Sequence, residues 1–244
     1  MSERLVHRLC ALLAFTVPFV VYLMTMAATV SFWDSGEFIA TSYILGIPHS
    51  PGTPLYVLVG RVFTMLPLPL SIAERVNFLS VVFSALAAMM VYLIVVATVR
   101  FMYPSLRDGV GRFMVHAGAL TGAFFLAFST TFWWDATEAE VYALSSFVMG
   151  LCTWLALEWY RNPAGHAASP GGDERGVAAG AAVLDAERQE RRHARGLVYL
   201  IVYLLALGIG FHLGTILVFG GIFLLFLLVK EKAFSNAELI IFTF

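Results

Sequence analysis

Four apolar runs, about residues 9–30, 76–99, 113–132 and 141–160, follow one another almost without charge. Each is about the length a helix needs to cross the ~30 Å hydrocarbon core of a bilayer. Inside lipid every backbone N–H and C=O must be bonded within the structure, so unbroken apolar runs of this length have to be helices. Composition agrees. Charged residues make up 13% of the chain and hydrophobic ones 60%, where a soluble domain carries about 25% charged. The chain is therefore expected to be an all-α, polytopic membrane protein. A net charge of −1 gives nucleic acid no reason to bind. Cys10 and Cys152 both lie in apolar runs and suggest neither a disulfide nor a metal site.

The first run follows a short basic head (Arg4, His7, Arg8) and has no clear small-residue cleavage site, so it reads as a retained signal anchor. Between Ser31 and Arg75 the pattern changes. Prolines stand at 48, 51, 54, 67 and 69, and two apolar pieces, Phe38–Ile47 and Leu55–Leu66, are too short to span. They are expected as interfacial or re-entrant helices. Ser71-Ile-Ala-Glu74 has capping-box spacing and introduces the second span. A polar turn, Trp133–Glu140, separates the third and fourth. The segment 161–196 is Gly/Ala-rich and then strongly charged, a flexible linker ending in a solvated helical extension. Runs at about 197–211 and 213–229, interrupted by Gly208, Gly210, His212 and Gly214, make about six spans in all, and Lys230-Glu-Lys232 closes them. A further run begins at Leu239 and stops at Phe244, as expected of a fragment of a longer protein. The expected organisation is thus a transmembrane module over 1–160 with an outer loop at 31–75, a cytoplasmic linker at 161–196, and further helices over 197–244.

Basic residues retained on the cytoplasmic side orient such a chain. With the N-terminus inside and the two short pieces not crossing, all of the 15 Lys and Arg except Arg61 and Arg75 fall on the inner side. If Leu55–Leu66 crossed, every later loop would change sides and the bias would vanish. The same topology puts Asp34, Glu37, Glu74, Asp135, Glu138, Glu140, His49 and His212 together on the outer face. Charges within a membrane are costly to place, so acids gathered at one boundary suggest a site.

Each of these residues also has a plain reading. Asp34 and Glu37 share a helix face and stand at capping-box spacing; equally, a carboxylate partly buried beside Phe32 and Trp33 would have a raised pKa and suit a general base. Thr137-x-x-Glu140 repeats the capping-box spacing, and Trp133 and Trp134 read as interface anchors rather than a ligand-stacking shelf. The His49-Ser-Pro-Gly52-Thr-Pro54 turn is stiffened by proline; it either offers N–H groups to a phosphate or simply joins two helices. His212 is a phosphate contact or a tolerated polar residue at a helix end. Arg61 and Arg75, the fixed outer cations, meet an anionic headgroup or snorkel. No two histidines have ligand spacing, and acidic pairs alone are weak ground for Mg²⁺ or Mn²⁺, so no divalent metal is expected.

The blocks Trp33-Asp-Ser-Gly-Glu37-Phe38, Gly46-Ile-Pro-His49-x-Pro51-Gly52-x-Pro54-Leu-Tyr56, Glu138-Ala-Glu140-Val-Tyr142-Ala-Leu144 and Gly208-x-Gly210-x-His212 resemble the protein O-mannosyltransferase-like membrane proteins, in the branch that includes transmembrane protein 260 and its bacterial relatives. The resemblance covers nearly all of the chain outside 161–196, and Ser50 stands where a second proline is expected. It implies a GT-C glycosyltransferase that takes a sugar, mannose in the name of the family, from a polyprenyl-phosphate carrier. Transfer would be to a Ser/Thr hydroxyl or other protein or glycan acceptor, with inversion, on the non-cytoplasmic face. That face is periplasmic if the membrane is a bacterial inner membrane and lumenal if it is the endoplasmic reticulum. Under this resemblance Asp34 is the base and Glu37 its partner. His49, Gly52, Glu138, Glu140 and His212 line the donor or acceptor pocket, and Arg61, Arg75 or His212 meets the carrier phosphate. Two other classes remain open: a transporter or flippase with intramembrane acids, and a scaffold whose acids are all caps. The gathering of acids at one boundary and the lack of an internal repeat speak against the transporter.

Overall fold

A computed structural model describes residues 2–106, 108–161 and 179–229. Its elements are α1 (Glu3–Thr25), α2 (Ser35–Ile44), α3 (Pro54–Thr64), α4 (Ile72–Met102), α5 (Gly109–Ala127), α6 (Thr130–Thr137), α7 (Val141–Tyr160), α8 (Ala179–Ile209), a 3₁₀ turn (Leu213–Thr215) and α9 (Ile216–Val229). Within the described residues five helices are long and apolar enough to cross a membrane: α1, α4, α5, α7 and the Arg192–Ile209 part of α8. The sequence pattern had suggested six; the described part of the last run is a shorter apolar helix. Residues 162–178 of the linker, Lys230-Glu-Lys232 and the run from Leu239 lie outside the described residues, though the charged stretch before residue 196 is helical and continuous with α8, as expected.

α4 is the central post. At one end Arg100 Nη2 bonds Glu3 Oε1 at 2.9 Å. Towards the other, the Tyr22 hydroxyl donates to the Ala127 carbonyl at 2.7 Å. α1 and α5 therefore run antiparallel to α4. α7 runs parallel to it: the Glu140 N–H donates to Ser80 Oγ, and a Cβ added at Gly150 would lie 2.8 Å from Met90 Cβ. Lipid offers no hydrophobic drive between helices, so close approach through small residues has to supply the packing. Ala14, Ala85, Ala88, Ala119, Ala123 and Ala127 are all fully buried. α8 returns antiparallel to α7, and Ser145 Oγ meets Thr215 Oγ1 at 2.9 Å beyond its end.

The region 31–75 contains two short helices, as expected. α2 stops because Leu45 turns left-handed (φ +55°) and its N–H, like that of Gly46, closes onto the Thr41 carbonyl. Gly52 sits at φ +91°, where only glycine is unstrained, and Pro54 opens α3 with its fixed φ. The peptide bond between Ser50 and Pro51 is cis. α2 and α3 touch at Gly60, where an added Cβ would collide with Ser42 Oγ and lie 2.8 Å from Ser42 Cβ. Gly60→Val is accordingly expected to destabilise the protein by about 1–3 kcal/mol through overpacking, read as a lower melting temperature in detergent.

Three local expectations are corrected. The expected polar turn at 133–140 is mostly helix α6, and the span before it ends early, at Ala127. Ser129 Oγ bonds back to the Leu126 carbonyl at 2.8 Å, an alternative to continuing the helix ladder. Asp34 precedes α2 but makes no side-chain cap. Thr137 ends α6 with its hydroxyl on the Trp134 carbonyl, and Glu140 starts α7 without a side-chain cap, so neither Asp34 with Glu37 nor Thr137 with Glu140 is a capping box. Ser71 and Glu74 do form one.

Candidate functional site

The link between α1 and α2 is tied down from two directions. Asn77, fully buried on α4, donates to the Ala27 and Thr29 carbonyls at 2.8 and 3.2 Å. The Ala27 N–H reaches the Thr137 carbonyl of α6 at 2.9 Å. This puts Asp34 beside the α6–α7 link. The two stretches are a hundred residues apart in sequence, and no spacing rule could have joined them.

One group of side chains comes from the α2 start and the turn before α3. Glu37 takes His49 with both carboxylate oxygens: Oε1 accepts the backbone N–H and Oε2 the ring Nδ1, each at 2.7 Å. The hydrogen bond to Glu37, with the charges of Asp34 and Glu37, raises the His49 pKa. The bond from His49 in turn lowers that of Glu37. His49 Nε2 then faces Asp34 Oδ2 at 3.9 Å. With Nδ1–H given to Glu37, the outward nitrogen is fixed toward Asp34, an orientation of the ring set by its other hydrogen bond. Glu37 is thus the residue that positions the imidazole. One donor atom each of Asp34, Glu37 and His49 lies within 4.8 Å of the others, so the sequence, which offered no histidine pair and led to no metal being expected, nonetheless folds to gather three groups able to hold a divalent ion.

The second group forms a cleft of about 410 Å³ whose walls are Trp33 and Asp34 on one side and Thr130, Thr131, Trp134, Asp135, Glu138, Glu140 and Tyr142 on the other. Glu138 and Glu140 are 5% and 8% exposed. Burial, reinforced by Asp135, Glu138 and Asp34, pushes the Glu140 pKa up to about 7. Burial and Glu138 push Asp135 to about 6. The burial expected at Asp34 is found at Glu140 instead; the Asp34 side chain is 56% exposed, and Phe32 and Trp33 beside it are open. The cleft therefore combines an open carboxylate with a buried one whose pKa lies near neutrality.

A folded-state pKa above the unfolded value means that the fold binds the proton more tightly, so its stabilising contribution is complete below the unfolded pKa and is lost as pH rises through the folded one. For Glu140 that window runs from 4.5 to about 7. The melting temperature is expected to fall between pH 5 and 8 by an amount worth a few kcal/mol. Glu140→Gln should flatten that slope and be more stable than the parent at pH 8; an unchanged slope would show that Glu140 does not hold the proton.

The remaining expected site residues are not part of the cleft's lining. Arg61 Nη1 donates to the Tyr43 carbonyl at 2.6 Å, and its guanidinium stands over the Tyr43 ring. Arg75 gives Nη1 to Thr64 and Nη2 to Leu68 carbonyls. Both arginines spend donors on the 31–75 loop itself. Gly52 shapes the turn that delivers His49, its N–H on the His49 carbonyl at 2.8 Å. His212 stands behind the cleft, its ring edge-on to Tyr142 with centroids 5.1 Å apart and its Nδ1 accepting from Gly214 N–H. Asp135, Trp134 and Tyr142, which the sequence offered only as an outer-face acid, an interface anchor and part of a family block, line the cleft, and the anchoring Asn77 had no reading at all. Asp135-x-x-Glu138-x-Glu140 was the available signal: three acids within six positions of a chain that spends few.

The sequence matches the family model described as Protein O-mannosyl-transferase TMEM260 N-terminal domain over residues 34–235. It is 27% identical over 154 residues to Protein O-mannosyl-transferase tmem260 of Dictyostelium discoideum, covering 62% of this chain and 17% of that one. It is 32% identical over 132 residues to Protein O-mannosyl-transferase TMEM260 of Mus musculus, covering 54% of this chain and 17% of that one. The matched region is thus a small part of each relative's length. No solved structure matches.

Proposed function

Since this chain belongs to the family of the Protein O-mannosyl-transferase TMEM260 N-terminal domain, we propose that it moves a sugar, mannose by the name of its relatives, from a polyprenyl-phosphate carrier to a hydroxyl acceptor at the membrane surface. The observation that carries the reading is the cleft itself, where Asp34 from the first link and Asp135, Glu138 and Glu140 from the α6–α7 link converge at one end of a membrane bundle. A donor with its lipid in the bilayer and its sugar at the surface fits that position. The face is the non-cytoplasmic one, because the positive-inside bias puts the basic ends of the spans inside.

The chemistry asks for little beyond placement and a base. A Ser or Thr hydroxyl is far too weak an acid to attack unaided, and a carboxylate within reach takes its proton as the bond forms. Asp34 is open to the cleft and serves that role. The hydroxyl oxygen bonds the anomeric carbon as the carbon–phosphate oxygen bond breaks on the opposite face, and the electron pair leaves with the phosphate. The sugar is inverted. His49, held by Glu37 and favoured in its charged form, is the cation nearest Asp34 and suits the departing phosphate. Glu140, whose pKa burial raises to about 7, donates a hydrogen bond to sugar or acceptor in its protonated form.

The test is transfer from a labelled polyprenyl-phosphate mannose to a Ser/Thr peptide by the full-length protein in membranes, with the anomeric configuration of the product read by glycosidase sensitivity. Product of inverted configuration is expected; retention, or no transfer, would sink the reading. The same assay in EDTA separates the two uses of Asp34, Glu37 and His49. Undiminished transfer is expected from the hydrogen-bonded arrangement, and loss restored by Mg²⁺ or Mn²⁺ would reassign the three residues as metal ligands.

A further inference from the structure

We propose that Trp33 and Trp134 are the two jaws of a sugar-binding clamp, gripping the apolar face of the transferred pyranose ring while the cleft carboxylates take its hydroxyls. The inference rests on the glycosyltransferase reading above and names the group that the cleft recognises.

Trp33 is the unusual residue. It adopts φ +61°, a left-handed conformation in which a bulky side chain is a true outlier and which costs of the order of 1–3 kcal/mol. A strained tryptophan would normally recover that cost by packing, yet Trp33 is 86% exposed. Other tryptophans of the chain behave differently. Trp159 is 1% exposed, and Trp133 packs edge-on against Phe128 while its indole N–H bonds Thr25 Oγ1 at 3.0 Å. Trp134, one residue on, is about 100° further round α6 and is 55% exposed. Trp33 and Trp134 come from opposite stretches of chain and line the same cleft.

The other residues of the cleft decide between occupants. Interface anchors face lipid, whereas these indoles share their cavity with Asp34, Asp135, Glu138 and Glu140. An isoprenoid chain lying there would strip water from Asp34 and Asp135 and offer no hydrogen bond to any of the four acids, which is costly. A pyranose offers both halves of what is present: a C–H face for flat aromatic surface, and hydroxyl donors for carboxylate oxygens. The clamp thus takes the sugar end of the donor and leaves the lipid outside.

The experiment measures binding without turnover, using full-length protein in nanodiscs and indole fluorescence. The probes are a polyprenyl-phosphate hexose and the same polyprenyl phosphate without sugar. Trp33→Gly relieves the left-handed strain and so keeps the fold, which an unchanged or raised melting temperature checks; Trp33→Tyr keeps an aromatic face. Trp33→Gly and Trp134→Ala are expected to weaken the sugar-bearing probe about tenfold and to leave the sugar-free probe unchanged, with Trp33→Tyr recovering most of the loss. Equal weakening of both probes would make the tryptophans lipid contacts and overturn the clamp, as would no weakening of either. A Trp-dependent affinity for a Lys-rich peptide in place of the sugar would overturn it in favour of cation binding. Transfer with Trp-independent binding sinks the clamp and leaves the enzyme standing; Trp-dependent sugar binding without transfer does the reverse.

Discussion

Asp34→Asn is expected to lower transfer by about 10²–10⁴-fold, the range for losing a positioned general base, with the affinity for donor nearly unchanged. Asparagine keeps the size and the hydrogen-bonding reach of the side chain and removes only its capacity to take a proton. Asp34 makes no capping bond to α2 and its side chain is 56% exposed, so the substitution has no structural reason to unfold the protein. A melting temperature within a degree or two of the parent, together with lost turnover, places the loss on kcat. Transfer at the parental rate would take Asp34 out of the chemistry and pass the role of base to Asp135, a half-buried acid of the same cleft.

Glu37→Gln comes next in size, with transfer expected to fall about 10²-fold, the scale on which misplacing a catalytic group acts. Glu37 does not line the cleft; it acts through His49, whose main-chain N–H and ring nitrogen it holds at 2.7 Å each. Glutamine retains an acceptor and loses the charge that raises the His49 pKa, so the pH profile should move as well: the form active through charged His49 would fade at a lower pH than in the parent. His49→Ala should cost a similar factor, and the double variant little more than either single one, because the two residues act as a unit. Additive losses would mean that Glu37 and His49 serve separate functions.

The family resemblance rests on short blocks of sequence, and so did the first half of the site. Asp34, Glu37 and His49 lie within 16 positions, and the proline-bounded turn that returns His49 to Glu37 is a local device legible from Gly52 and Pro54. The role of Glu37 was harder to read. Three-residue spacing suggested a capping box at both Asp34 and Thr137, as it did at Ser71, where one is formed. Spacing lets a carboxylate reach back to a helix start and does not say whether a better donor stands nearby; for Glu37 the better donor is His49. The α6–α7 acids were visible as a cluster, but the cleft wall they make was not, since it depends on Asn77 and Ala27 bringing the α1–α2 link to α6. Asn77 carries no signal in sequence beyond being a polar residue in an apolar helix.

Membrane residence and the helical class follow from composition and from run length, because lipid enforces backbone bonding locally and each span meets that demand by itself. The end of a span at Ala127, the sharing of one cleft by Trp33 and Trp134, and the raised pKa of buried Glu140 belong to packing. They depend on which side chains the bundle brings together from distant stretches, and on how much water it leaves between them.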